Sequence, residues 1–435
     1  MSLSNVHTTT VVGENVEAAY RKVIWRLIPF LCFCYLASYL DRINVGFAKL
    51  QMLDQLQLSE TAYGLGAGLF FVGYILFEVP SNLVLEKVGA RLWIARIMIS
   101  WGLLSGLTMF VTTEGQFYTL RFLLGAAEAG FLPGVLYYLS KWFPSWRRSR
   151  IIALFMIGLP LSSLVGSPIS GWIMGHFDGR SGLAGWQWLF LLEAIPTVVL
   201  GFLCIRMLPN NIRQAQWLRD DEKTLLEEVL AKDDQENKGG HLFRDAFLDI
   251  KVWMLGGIDF SILLSTYAIG FWLPTFVRNA GVQDPQQIGL LVAMPSLAGL
   301  LGMLVIGASS DKYRERRWHI VIPFLVGAGA MFLSTFFAHS VSLTVALFSL
   351  ASLTIIGAVP VFFSLPPTFL KGTAAATGFA LACSVANIAG LVSNSLMGAV
   401  MDHFHSPKIA LWIFAGCLLL SSLLVLALPA RTVNR

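Results

Sequence analysis

The ten residues NLVLEKVGAR, at positions 82–91, have a counterpart in GASSDKYRER at positions 307–316. In each copy an acid is followed at once by Lys and, five positions after the acid, by Arg. Each copy also follows the second long apolar run of its half of the chain. The matched residues are Glu86, Lys87 and Arg91 in the first copy, and Asp311, Lys312 and Arg316 in the second. This repeat predicts two similar halves, as in many transporters.

The composition indicates an integral membrane protein. Of 435 residues, 56% are hydrophobic and only 13% are charged, and the mean hydropathy is +0.67. Soluble proteins carry about 25% charged residues, so this chain has too few to coat a globule in water. A bilayer core needs about 20 apolar residues of helix. Twelve runs satisfy this: 23–47, 62–85, 91–112, 116–140, 151–175, 186–208, 253–277, 287–309, 319–338, 341–368, 373–401 and 408–428.

The predicted fold is therefore an all-α membrane protein with twelve transmembrane helices in two six-helix bundles. We expect an N-terminal bundle over 1–208, a cytoplasmic linker over 209–251 and a C-terminal bundle over 252–435. The linker is the longest polar segment of the chain. No signalling module is recognisable in it, which argues against a membrane sensor.

Lysine and arginine predict the orientation in the membrane. With both termini in the cytoplasm, 25 Lys and Arg residues fall on the cytoplasmic side and four on the other: Lys49, Arg180, Arg278 and Lys408. This bias is the positive-inside pattern. Because the basic residues are spread beside apolar spans, they favour membrane orientation over nucleic-acid binding.

A few ionisable side chains fall inside the predicted spans, where a charge costs about 2.5–3.5 kcal/mol on insertion scales. They are Asp41, Arg42, Glu78, Arg121, Glu128, Glu193 and Asp259. Such residues usually face a wet cavity and mark a function. Glu78 and Glu193 each stand shortly before a proline, and we interpret them as hydrogen-bonded structural acids.

Spans one and four carry the charges that we expect to act together. Arg121 and Glu128 are seven residues apart and share one helix face. Asp41 and Arg42 are adjacent, so they point about 100° apart and each needs a partner on another helix, where span four offers one of each sign. We assign anion capture to Arg42 and Arg121, because guanidinium binds carboxylate with a bidentate fork. We assign proton carriage to Asp41 and Glu128. The alternative is that the four charges only hold the two helices together.

Several motifs resemble the major facilitator superfamily and, within it, the anion:cation symporter family. The resemblance covers nearly the whole chain. The motifs are YLDRINVGFA at 39–48, GYILFEVPSNLVLEKVGAR at 73–91, RFLLGAAEAGFLPG at 121–134, PLSSLVGSPISGW at 160–172, GWQWLFLLEAIP at 185–196 and SLPPTFLKGTAAATGFAL at 364–381.

The resemblance implies roles that agree with the charge argument. It links Asp41 and Glu128 to proton movement, and Arg42 to the substrate carboxylate with Arg121 nearby. It also implies substrate contacts at Tyr39, Tyr74, Phe363 and Asn387. The loops at 82–91 and 307–316 resemble the superfamily's gating motif, although Asn82 and Glu86 depart from its usual Gly and Asp.

The resemblance leads us to expect a proton-coupled importer of a small organic carboxylate in the bacterial inner membrane, monomeric and without cofactor or metal. Sugar-acid members often have Trp at Phe363 and Asn at Cys383, so the loss of these polar groups favours an aromatic or poorly hydroxylated acid. A sugar-acid or tartrate-type symporter, and an exporter or antiporter of the same anions, remain alternatives. A membrane enzyme is disfavoured, because no HExxH, P-loop or paired-His spacing occurs in the spans.

Overall fold

The computed structural model describes residues 3–236, 250–365 and 373–434, and the regular elements in these ranges are all helices. Eleven helices are long and apolar enough to cross a membrane, and Trp318–Ser334 is a shorter apolar helix of 17 residues. The predicted all-α membrane fold with twelve spans is confirmed. Because the number of crossings is even, both chain ends lie on one side, which we call the terminal face. The other side is the distal face.

The first six spans contain three helices that are interrupted within the membrane. Span four breaks at Ala129 and Gly130, whereas the interruptions of span one at Asn44 and of span five at Ile157 are slight, since both residues keep helical backbone angles. The helices in order are Leu3–Ile43 with Val45–Leu56, Glu60–Val88, Ala90–Leu107, Glu114–Glu128 with Phe131–Ser140, Ser145–Met156 with Gly158–Phe177, and Gly185–Met207.

The last six spans repeat this arrangement with one marked interruption, in span ten. The helices in order are Ile250–Asn279, Pro285–Tyr313, Trp318–Ser334, Val341–Ile355 with Val359–Phe363, Thr373–Phe404 and Lys408–Ala427. Span ten, predicted over 341–368, is present as one apolar span over Val341–Phe363, interrupted at 356–358 because Pro360 lacks the N–H that would continue the ladder. Residues 366–368 lie outside the described residues.

The break in span four fixes the position of Glu128. Gly130 has φ +86°, a left-handed conformation that favours glycine, and a Cβ there would overlap the Ser81 hydroxyl. The helix Glu114–Glu128 therefore ends at the acid that the sequence singled out. The chain then restarts in a new helix toward the terminal face.

The two bundles approach each other most closely in the halves of their spans next to the distal face. Gly64 of span two lies against Gly398 of span eleven, and Gly171 of span five lies against Gly289 of span eight. A Cβ on any of these glycines would overlap backbone atoms of the other bundle. Small residues at such crossings allow close backbone contact in lipid.

A linker helix, Asp220–Glu236, packs at the terminal face of the first bundle. Its Glu222 pairs with Lys22 of the extended first helix at 2.6 Å. Asp233 accepts hydrogen bonds from the backbone N–H (2.9 Å) and hydroxyl (2.5 Å) of Ser145, at the start of span five. This part of the linker is therefore attached to the first bundle. The predicted domain boundaries themselves stay a prediction.

Candidate functional site

An ion pair between spans one and four occupies the middle of the molecule. The Arg42 guanidinium contacts the Glu128 carboxylate, and the exposed side-chain fractions are 14% and 1%. Ser38, one helical turn before Arg42, donates its hydroxyl to the same Glu128 oxygen at 3.1 Å. The predicted pairing of Arg42 with span four is therefore present. Removing only one charge of a buried, hydrogen-bonded pair of this kind strongly destabilises a protein, because the other charge is left buried without a partner.

Aromatic rings surround the Arg42 guanidinium. Its Cζ lies 5.1 Å from the ring centroid of Phe70, 5.4 Å from that of Tyr74 and 5.9 Å from that of Tyr39. Tyr267 of span seven also interacts with Arg42, so the second bundle reaches the pair. The structure thus brings the predicted Tyr39 and Tyr74 to the site. Phe70 and Tyr267 were missed, although Phe70 stands one helical turn before Tyr74.

Arg121 provides a second guanidinium close to the same ring. Its Cζ lies 5.2 Å from the centroid of Phe70, and the residue is 1% exposed. Its three side-chain nitrogens are buried and make no hydrogen bond to any described residue. A guanidinium buried without partners is energetically costly, and an anion would satisfy it. The two arginines and Glu128 together leave one positive charge in excess.

Asp41 does not join this cluster. It is fully buried and accepts hydrogen bonds from Ser105 of span three at 3.1 Å and from Thr197 of span six at 2.8 Å. The expectation that span four would supply partners for both Asp41 and Arg42 is therefore wrong for Asp41. The reason is geometric: with Arg42 directed at span four, the neighbouring residue points into the interior of the first bundle.

Two further predicted substrate contacts lie in the second bundle. Phe363 is 38% exposed and its ring lies 5.4 Å from that of Phe362. Asn387 is half-buried, one helical turn before Gly390, where a Cβ would overlap the Phe71 ring of span two. Asn387 therefore belongs to the face of span eleven that meets the first bundle. The substrate contacts of both residues stay predictions.

Span seven packs its aromatic residues into the contact between the bundles. Phe271 lies against Phe71, with centroids 6.2 Å apart, and Tyr63 donates its hydroxyl to the Phe271 carbonyl at 3.4 Å. Trp272 donates its indole N–H to Asn394 at 3.1 Å. These rings serve helix packing in this structure.

The distal face is closed by charged groups as well as by rings. Lys49 Nζ lies 2.5 Å from Glu60 Oε2 and 3.7 Å from the centroid of Trp272 in the other bundle. Arg278 of the second bundle contacts the Leu50 carbonyl of the first. Asp402 accepts from the backbone N–H groups of Glu60 (3.0 Å) and Thr61 (2.7 Å), which begin span two. Four residues of the sequence thus form a closure that sequence analysis did not identify: Lys49, Trp272, Arg278 and Asp402.

The two predicted gating loops lie at the terminal face and are built alike. Arg91 donates its side chain to the Ile205 carbonyl at 2.5 Å, and Arg316 donates its side chain to the Ser364 carbonyl at 3.2 Å. The side-chain oxygens of Asn210 and Asn434 accept the backbone N–H of Arg91 and of Arg316, each at 3.0 Å. The ends of spans six and twelve are therefore fastened to the starts of spans three and nine.

The acids and lysines of these loops are exposed: Glu86, Lys87, Asp311 and Lys312. The salt bridges of the described residues include neither Glu86 nor Asp311. A cavity of about 480 Å³ beside the first loop is lined by residues that include Glu86, Lys141 and Asn210, and it is separate from Arg42 and Glu128. The gating role of the loops stays a prediction.

A sequence profile of the Major Facilitator Superfamily matches residues 31–383. The chain belongs to the Major Facilitator Superfamily. It is thus a membrane transporter and not an enzyme, as the sequence predicted. The predicted family resemblance is confirmed as well.

Named relatives agree with this superfamily membership. "Putative metabolite transport protein NicT" from Pseudomonas putida is 70% identical, and the match covers 100% of each chain. "Putative tartrate transporter" from Agrobacterium vitis is 42% identical over 94% of each chain. The crystal structure of a D-xylose-proton symporter superposes with a TM-score of 0.71 at 15% identity, covering 95% of this chain and 99% of that one. The last similarity concerns the fold alone.

Proposed function

We propose that this major facilitator is a proton-coupled symporter that imports a small organic carboxylate across the bacterial inner membrane by alternating access. The observation that carries the proposal is the contrast between the two central arginines. Arg42 is held by Glu128, whereas the buried Arg121 has no hydrogen-bond partner among the described residues. A site with one occupied and one unoccupied guanidinium suits an anion whose arrival is linked to the protonation of an acid.

The coupling follows from charge balance. Without substrate, two guanidinium groups and the Glu128 carboxylate give the site a charge of +1. A proton on Glu128 releases Arg42, and a substrate carboxylate then takes its place between the two arginines. The net charge is again +1, so the loaded carrier buries no additional charge when it rearranges. When the anion leaves, Glu128 releases its proton on the same side and pairs with Arg42 again.

Aromatic rings favour a flat, poorly hydroxylated acid. Phe70, Tyr74, Tyr39 and Tyr267 surround Arg42, and both central arginines lie close to the Phe70 ring. A planar carboxylate could stack here, and the tyrosine hydroxyls could donate to its oxygens. A tartrate-type symporter is the second candidate, because a relative with 42% identity carries that name.

Alternating access would move the closure from one face to the other. In this structure the contacts between the bundles lie at the distal face, which we propose is periplasmic, and both termini would then be cytoplasmic. When the distal face opens, the acids Glu86 and Asp311 would meet basic side chains of neighbouring cytoplasmic ends and hold that face closed. This assigns the gating role to Glu86, Lys87, Arg91, Asp311, Lys312 and Arg316.

Uptake into proteoliposomes tests the proposal. Labelled aromatic carboxylates, tartrate and an aldonate would be offered with and without an inward proton gradient, while a trapped dye reports internal pH. We expect accumulation of one class that requires the gradient, accompanied by internal acidification. Accumulation that is equal with and without the proton gradient would refute proton coupling. Extrusion of substrate driven by the gradient would indicate an antiporter. A preference for tartrate over aromatic acids would support the second candidate.

A further inference from the structure

A stripe of polar residues runs along span one on the side that faces span six. Its members are three, seven and four residues apart, so they share one helix face: Asp41, Asn44, Gln51 and Gln55. Gln55 is exposed near the distal face and accepts the indole N–H of Trp186 at 2.7 Å. Gln51 accepts the backbone N–H of the same residue at 3.1 Å. The stripe therefore places polar groups near the distal surface, at Gln51 and Gln55, and beside the fully buried Asp41, at Asn44, two helical turns deeper.

Glu193 of span six lies on this stripe and is 3% exposed. Its Oε1 accepts the hydroxyl of Ser170 at 2.6 Å, whereas its Oε2 is buried and has no hydrogen-bond partner among the described residues. The Asn44 carboxamide lies beside it, and the nitrogen and oxygen of this carboxamide likewise make no hydrogen bond to any described residue. The bond to Ser170 thus accounts for one oxygen of this acid, and the other oxygen has the Asn44 carboxamide as its polar neighbour.

The order of these groups follows from the directions of the two helices. Span one runs toward the distal face and span six runs away from it. Asp41 meets Thr197, and one turn closer to the distal face Asn44 meets Glu193. Residues one turn apart have Cβ atoms about 5–6 Å apart, so Glu193 lies one short step from Asp41 toward the distal side.

We propose that Glu193 is a proton-relay residue, and that protons reach Asp41 from the distal side between spans one and six. The anion would enter separately, between the two bundles. This inference rests on the proposed proton coupling, with Asp41 as the second proton carrier that the sequence predicts. In the transfer, the carboxylic acid of Glu193 loses its proton and the carboxylate of Asp41 gains it, with the Thr197 hydroxyl, already bonded to Asp41, as the bridge. Glu193 is then reprotonated from the distal side.

The relay makes a kinetic prediction for Glu193→Gln in proteoliposomes, with the labelled carboxylate that the wild-type protein accumulates as the probe. We expect net proton-driven uptake to slow at least tenfold, because Asp41 can no longer be supplied with protons along this route. Counterflow, which needs no net proton movement, should stay within twofold of wild type. The ratio of protons to substrate in the residual uptake should be unchanged, since the coupling acids are intact.

Two controls separate a relay from a packing role. Glu193→Asp keeps an acid and should restore most of the rate, whereas Ser170→Ala removes the hydrogen bond but no titratable group and should slow uptake no more than twofold. If Glu193→Gln lowers counterflow and net uptake equally, a packing role of Glu193 would explain the defect, and the relay would be wrong. If Glu193→Gln fails to fold, Thr197→Val interrupts the same route and should slow net uptake while sparing counterflow.

The relay and the symporter proposal can fail separately. Wild-type vesicles without substrate-driven proton uptake would overturn both. If the wild-type protein couples substrate to protons, but Glu193→Gln and Thr197→Val show net proton-driven uptake as fast as wild type, the relay alone would be overturned.

Discussion

Replacing Glu128 by glutamine imitates the protonated acid at the central ion pair. In the wild-type protein an incoming carboxylate must displace Glu128 from Arg42, because both compete for the same guanidinium. Glutamine keeps the shape and can still accept from Ser38, but it carries no charge. We therefore expect Glu128→Gln to bind the substrate more tightly than wild type does when Glu128 is charged, and with an affinity that no longer depends on the protonation of this acid.

The magnitude follows from the burial of the pair. Hydrogen bonds to charged groups contribute about 1.5–3 kcal/mol. The amide retains part of this contact with Arg42. We therefore take about 1.4 kcal/mol as the free energy that the substrate no longer spends on displacing residue 128, which corresponds to a gain of about tenfold in affinity. Net proton-driven accumulation should be lost at the same time, because the variant has no proton to release at this position, while counterflow should persist.

Equilibrium binding of labelled substrate to purified protein between pH 5.5 and 8.5 measures both effects. Glu114→Gln is a matched control, since Glu114 starts the same helix but is exposed and bonded to Tyr118 at 2.5 Å. The control should follow wild type at every pH. Weaker binding by Glu128→Gln at pH 8, or a binding curve that keeps the wild-type pH dependence, would refute competition between Glu128 and the substrate.

Three other perturbations test separate parts of the structure. Arg42→Lys should raise the apparent KM for uptake about tenfold or more, because a point charge replaces a planar fork; an unchanged KM would remove Arg42 from the binding site. Lys49→Met should weaken the distal closure by losing the contacts with Glu60 and Trp272, which we expect to appear as faster labelling of cysteines introduced in the central site from the distal side; unchanged labelling would contradict this. Lys22 and the Arg219 backbone N–H hold the pKa of Glu222 below its ordinary value although burial opposes them. The pair therefore stabilises the linker helix above the ordinary pKa of glutamate, about 4.3, and this stability is lost as the pH falls through the lower folded value. Thermal unfolding measured from pH 7 to 3 should show this loss in wild type but less of it in Lys22→Met, and identical profiles would contradict the pair.

The sequence alone was sufficient to predict the fold class. The scarcity of charged residues and the repeated loop can both be read from the chain without knowing which residues are in contact. It was less reliable where one backbone position decides the outcome. Pro360 interrupts span ten, and Gly130 ends the helix that carries Glu128. The apolar pattern on either side of these residues is continuous, so hydropathy predicts an unbroken span.

The candidate site was predictable to the extent that helical periodicity decides it. The spacing of Arg121 and Glu128, and the need of Arg42 for a partner on another helix, led to the central pair. The hydroxyl partners of Asp41 were not predictable, since Ser105 and Thr197 are common residues in membrane helices. Phe70 and Tyr267 were missed for a related reason: an aromatic side chain within an apolar span gives no signal until its neighbours are known.

The glycine contacts between the bundles have a practical consequence for trapping the carrier. At Gly64, Gly171, Gly289 and Gly398 a single added methyl group would collide with the opposing backbone, yet none of these positions touches the charged centre. Alanine at one, two or more of them would hold the bundles apart there to a graded extent and so favour the conformer that is open at the distal face. Such wedged proteins offer a route to imaging that conformer without altering the chemistry of the cargo site.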